Sequence, residues 1–108
     1  MKLNLNETWK LCLKMCKWVA ENCGGGELVD CLKDQWCIEH NFVGKKQLTN
    51  NCFFCNYVRE KGRVDCGFCP GRKVDPEFNC CNREYGYSSK PKTFYKKLVQ
   101  LNKKRVKV

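Results

Sequence analysis

The stretch Cys52-Phe53-Phe54-Cys55-Asn56-Tyr57-Val58-Arg59-Glu60-Lys61-Gly62-Arg63-Val64-Asp65-Cys66-Gly67-Phe68-Cys69-Pro70 decides how this chain is read. It holds two Cys-x-x-Cys pairs, Cys52/Cys55 and Cys66/Cys69, with ten residues between them. Two residues between sulfurs let a tight knuckle aim both at one ion, and two knuckles complete a tetrahedral zinc site. Gly67, Pro70 and Gly71 supply backbone freedom and a stop at the second knuckle. Between the pairs, Tyr57-Val58-Arg59 and Arg63-Val64-Asp65 have strand character, and Glu60-Lys61-Gly62 supplies a turn. The segment predicts a zinc ribbon of short antiparallel strands over residues 50–72. Four thiolates leave no open position for water or substrate, so the Zn2+ expected here is structural.

Toward the N-terminus, residues 6–22 read as a helix with Asn6 as N-cap and Glu7 suited to its positive end. Trp9, Cys12, Cys16, Val19 and Cys23 recur at steps of three and four and form one apolar stripe. Gly24-Gly25-Gly26 ends that helix. A second helical pattern, 27–39, puts Leu28, Cys31, Leu32, Gln35, Trp36 and Glu39 on one face, giving a helical hairpin over 6–40. Toward the C-terminus, 73–90 reads as a loop containing the vicinal pair Cys80-Cys81. A basic helix follows over 91–104, with Pro91 in its first turn and Phe94, Leu98 and Leu101 on one side. The expected fold is a small α+β zinc-binding domain, one domain over 1–108, with an N-terminal helical hairpin, a central ribbon and a basic C-terminal helix.

Eleven cysteines in 108 residues demand either disulfides or metal. The opening Met1-Lys2-Leu3-Asn4-Leu5-Asn6-Glu7 lacks the apolar run and cleavage site of a secretory signal. The expectation is a reducing cytoplasm, with no stretch long enough for a membrane span. The net charge of +10 is uneven. Residues 1–51 carry seven basic and six acidic side chains, whereas 52–108 carry fourteen and five. No acid follows Glu84, while Lys90, Lys92, Lys96, Lys97, Lys103, Lys104, Arg105 and Lys107 do. Such a field attracts an anionic partner, although a solvated helix face accounts for the charge equally well. The candidate contact residues are Arg59, Lys61, Arg63, Arg72, Lys73, Lys96 and Lys97. Phe53, Phe54 and Phe68 beside these cations suit base stacking, but at least two of the three are expected to shield the thiolates instead.

Other thiols carry weaker readings. Cys80 or Cys81 is an alternate ligand, with a loop-packed thiol the favoured account of each. Cys12 and Cys16 have a helical i, i+4 spacing that suits ligands, yet they lie on the apolar stripe and read as core. Cys37 and His40, with Cys31, form a possible second site. His40 is the only histidine, which removes most general-base and nucleophilic dyads. No His-x-Glu precedes a Pro-Cys-x-x-Cys, and Gly24-Gly25-Gly26 is no phosphate loop. No enzyme activity is expected.

Trp18-Val19-Ala20-Glu21-Asn22, Asn51-Cys52-Phe53-Phe54-Cys55-Asn56-Tyr57 and Cys66-Gly67-Phe68-Cys69-Pro70 together resemble small zinc-ribbon-like accessory proteins of tailed bacteriophages. The likeness covers roughly residues 9–71 and extends weakly to the last helix. It implies Cys52, Cys55, Cys66 and Cys69 as ligands, a host-cell cytoplasmic setting and no catalysis. Cys12, Cys16, Cys31 and Cys37 depart from that pattern and leave a second metal open. The expected function is a phage accessory protein that binds a host protein or anionic ligand and blunts host defence. The alternatives are a nucleic-acid-binding protein of transcription or replication, and a nucleotide-signal sponge.

Overall fold

The computed structural model describes residues 3–23, 28–42, 52–62, 68–80, 84–87 and 90–106. Among them lie five helices: α1 (Leu5–Asn22), α2 (Val29–Glu39), α3 (Phe53–Glu60), α4 (Pro70–Val74) and α5 (Pro91–Val106). The described residues contain no strand, so the expected α+β ribbon is replaced by a helical assembly.

The correction centres on Tyr57-Val58-Arg59, which lies inside α3 rather than in a strand. Cys52 takes extended backbone angles and caps that helix, its sulfur accepting the Cys55 N–H. Phe53, Phe54 and Val58 are buried, and half-buried Tyr57 lies between them. Apolar positions at i, i+1, i+4 and i+5 cover one helical face, whereas a strand would alternate. Gly62 is indeed a turn residue, but with φ of 75° it closes α3, donating its N–H to the Arg59 carbonyl at 2.9 Å. The expected partner strand, Arg63-Val64-Asp65, lies outside the described residues. Pro70 does not stop a knuckle either; it opens α4, where its missing N–H costs nothing.

Helix α1 starts at Leu5, and its cap lies two residues before Asn6. Asn4 is the cap: its side chain accepts the Glu7 N–H at 2.8 Å, and the Glu7 carboxylate accepts the Asn4 N–H at 3.1 Å. This reciprocal box satisfies two amide donors that would otherwise be orphaned. Trp9, Cys12, Met15, Cys16 and Val19 then bury one continuous stripe.

That stripe makes α1 the hub, packing against α5, α3 and α2, while α4 bridges α3 and α5. Aromatic rings carry the core from end to end. Trp9 meets Phe54 edge-on at 4.8 Å, Phe54 meets Phe78 at 6.4 Å, and Phe78 meets Phe94 at 6.0 Å. At the other end, Trp36 meets Phe53 edge-on at 5.7 Å. Leu98 and Leu101 seal α5 against this core. Among the described residues, no helix is long and apolar enough to cross a membrane.

Candidate metal centre

The site begins at the first turn of α3. Cys52 is the cap residue and Cys55 the third helical position, so one turn places both sulfurs together. The Cys52 sulfur accepts the Cys55 N–H at 3.4 Å, and the two thiols also bond to each other. This bond pulls the Cys52 thiol down to about 6 against the opposing effect of burial, helped by Lys33 and the amides of Cys55 and Phe54. Cys55 is held far above the ordinary thiol range by donating to Cys52, then by burial, then by Cys52, Cys69 and Cys80 nearby.

Cys69 caps α4, which packs on α3, and this brings the second motif to the first. Cys80 reaches the same neighbourhood from the chain beyond α4. It packs on the core, and its carbonyl accepts the Tyr87 N–H at 3.0 Å. Cys52, Cys69 and Cys80 therefore each lie within electrostatic reach of Cys55. Cys66 and Cys81 lie outside the described residues. Among the described residues, no three Cys, His, Asp or Glu side chains are placed to hold an ion. Cysteine sulfur is a donor of the kind zinc takes, and both cysteines of the first motif are present here.

The other thiols divide by environment. Cys12 is buried and held well above its usual range, first by its bond to Cys16 and then by burial. A protonated core thiol matches the expected packing role. Cys37 is buried, which raises its thiol, with Asp34 adding to the effect, whereas Cys31 is exposed. The His40 ring stacks on Trp36 at 3.9 Å, with Nδ1 2.9 Å from the Trp36 carbonyl oxygen. Stacking and the bond to Trp36 account for this imidazole without a metal.

The candidate contact cations are used unevenly. Arg72 donates from Nε to the Phe78 carbonyl at 2.8 Å, and Lys97 pairs with Asp75 at 3.3 Å, so both hold the fold. Arg59, Lys61, Lys73 and Lys96 are exposed, as are Lys92, Lys103 and Lys104. Arg63 lies outside the described residues. Phe53 and Phe54 are core and offer no stacking face; Phe68 is 39 % exposed, with Lys73 Nζ 5.3 Å from its ring centre.

One residue near the thiols has no role in the sequence reading. Lys33 of α2 is only 6 % exposed, and its Nζ sits 4.0 Å from the centre of the Tyr87 ring. Burial pulls this amine down, but Cys52, Cys16, Cys12 and Tyr87 outweigh that effect and hold it above its ordinary value. Its signal was in the helical period: Val29, Lys33, Trp36 and Cys37 share a buried face. No protein family, curated protein or solved structure matches the chain.

Proposed function

We propose that this chain is a non-enzymatic binding module, stabilised by one zinc ion, whose basic C-terminal helix meets an anionic partner. The observation that carries this reading is the gathering of Cys52, Cys55, Cys69 and Cys80 around the start of α3. Cys52, Cys55 and Cys69 are three of the ligands, with Cys66 or Cys80 as the fourth. Zinc held there would tie α3, α4 and the chain beyond them with roughly 10–16 kcal/mol of binding energy, similar to a small domain's whole stability. The ligand set is closed, and the metal's role is structural.

The contact surface in this reading is the solvent side of α5, where Lys92, Lys96, Lys103 and Lys104 are exposed, joined by Arg59, Lys61 and Lys73. The cavity beside Lys33 and Tyr87 measures about 10 Å³, far below the size of a nucleotide. In the phage setting that the motifs suggest, the partner is an acidic face of a host defence protein. Nucleic acid is the second reading, favoured by the half-exposed Phe68 ring beside the Lys73 ammonium.

Two measurements test the proposal. Cys52→Ser and Cys69→Ser are each expected to abolish stoichiometric zinc, whereas Cys31→Ser leaves it unchanged; zinc retained in both of the first two variants contradicts the site. Titration of labelled DNA and RNA at low and high salt separates the two partners. A nucleic-acid binder loses affinity steeply with salt, and Lys96→Gln with Lys103→Gln and Lys104→Gln lowers the salt slope by about 2–3. Absence of any shift at low salt removes the nucleic-acid reading and leaves the protein partner.

A further inference from the structure

We propose that the antiparallel pair α1/α5 carries an outward-facing apolar seam between two lysine rows, and that this seam receives an acidic amphipathic helix of a protein partner. The proposal rests on the basic contact surface described above and adds the partner's shape; it needs no metal.

The two ends of the pair set its register. Arg105 donates to Asn6 Oδ1 at 2.7 Å, and its guanidinium lies 5.1 Å from the centre of the Trp9 ring. At the other end, Cys16 and Val19 meet Pro91 and Phe94 around a small cavity. The helices therefore run antiparallel, with Lys14 level with residues 96–98.

Around α5, Phe94, Leu98 and Leu101 face the core at steps of four and three. One position on, Tyr95, Val99, Asn102 and Val106 step by four, three and four. The first three are half-buried and Val106 is 62 % exposed, so this row is only partly covered. Lys97, on the other flank of the core stripe, pairs with Asp75 beside α4, which leaves the Tyr95 row on the α1 side. On α1, Asn6, Lys10, Leu13 and Lys17 share one edge by the same spacing, and the Asn6–Arg105 bond turns that edge toward α5. Leu13 is half-buried, while Lys10, Lys14 and Lys17 are exposed. Beyond the seam, α5 exposes Lys92, Lys96 and Lys103.

An apolar row at steps of four and three, left half open, is the surface one helix offers another. Asn102 within it supplies the single polar position that fixes register in such pairings. Lysines on both rims select acidic flanks on the incoming helix and repel basic ones. Glu7 and Glu21 flank the α1 row at its ends, and α5 contains no acid. A phosphate backbone would use the lysines but leave Leu13, Val99 and Val106 without a role.

The test is fluorescence anisotropy of the full chain with a labelled synthetic helix about three heptads long, Leu at a and d and Glu at e and g. A peptide of the same composition with its leucine spacing scrambled is the control, and a labelled DNA duplex is run alongside. The ordered peptide is expected to bind at least about tenfold more tightly than the scrambled one. Lys14→Glu with Lys96→Glu, exposed residues on the two rims, is expected to weaken that binding by about tenfold or more. Lys61→Glu with Lys73→Glu, beside α3 and in α4, is expected to stay within about twofold of the wild type. Equal binding of the two peptides, or none of either, overturns the seam. A duplex bound more tightly than the ordered peptide, and lost in the Lys14→Glu, Lys96→Glu variant, also overturns it and gives the face to nucleic acid. Loss confined to the Lys61→Glu, Lys73→Glu variant overturns the inference and leaves the basic-surface reading standing; loss in neither variant sinks both.

Discussion

Gly71 and Phe78 meet so closely that a single added carbon must displace one of them. A Cβ on Gly71 would stand 2.6 Å from Cδ2 of Phe78, a ring that is 1 % exposed and in contact with Phe54, Tyr85 and Phe94. Gly71→Ala is therefore expected to destabilise the protein by about 1–3 kcal/mol, read as a lower urea midpoint with unchanged slope. The sequence assigns this glycine to a knuckle turn; its actual constraint is an aromatic ring seven positions away, invisible without the fold. Lys33 is the same kind of case, since charge normally marks solvent and only its helical phase with Val29 and Trp36 places it inside. Trp9, Cys12, Cys16 and Val19, by contrast, were legible as core from spacing alone.

At the scale of elements, α5 is held by two fully buried leucines and by charged side chains, an ion pair among them. Leu98→Ala is expected to cost about 2–5 kcal/mol, because the side chain is 0 % exposed in the core. The ion pair joins Lys97 to Asp75, the residue that ends α4. Asp75 is held below the usual aspartate range first by the Glu77 N–H and then by Lys97. A depressed carboxyl stabilises the fold at pH values above its unfolded-state pKa, and that contribution disappears as pH falls through the lower folded-state value. Thermal melts should show Asp75→Asn below wild type near neutral pH, with the gap closing once the carboxylate is protonated. A gap that persists unchanged in strong acid would assign Asp75 a packing role only. The basic α5 was readable from Pro91 and the Phe94, Leu98, Leu101 stripe. Helix α3 is not, because three residues of strand character between two cysteine pairs match a ribbon, whereas the Phe53, Phe54, Tyr57, Val58 phase fits a helix. Helix α4 was missed because a proline after a cysteine pair reads as a stop as readily as a helix start.

Across the whole molecule, α1 organises the fold, and Cys52 and Cys69 cap the starts of α3 and α4. The fold class did not follow from the motif because Cys-x-x-Cys constrains one turn, and a helix can follow that turn as well as a strand can. Cys52, Cys69 and Cys80 all act electrostatically on Cys55, although Cys80 belongs to neither motif. On the proposed zinc reading, chelation is expected to raise amide exchange in α3 and α4 more than in the Leu98–Leu101 turn of α5. The most direct test of the account is native mass spectrometry with elemental analysis on protein purified under reducing conditions. One zinc per chain, with all eleven cysteines free of disulfides, is the result expected. A fully folded chain that carries no metal, or one whose α3 and α4 cysteines are joined as disulfides, would contradict it.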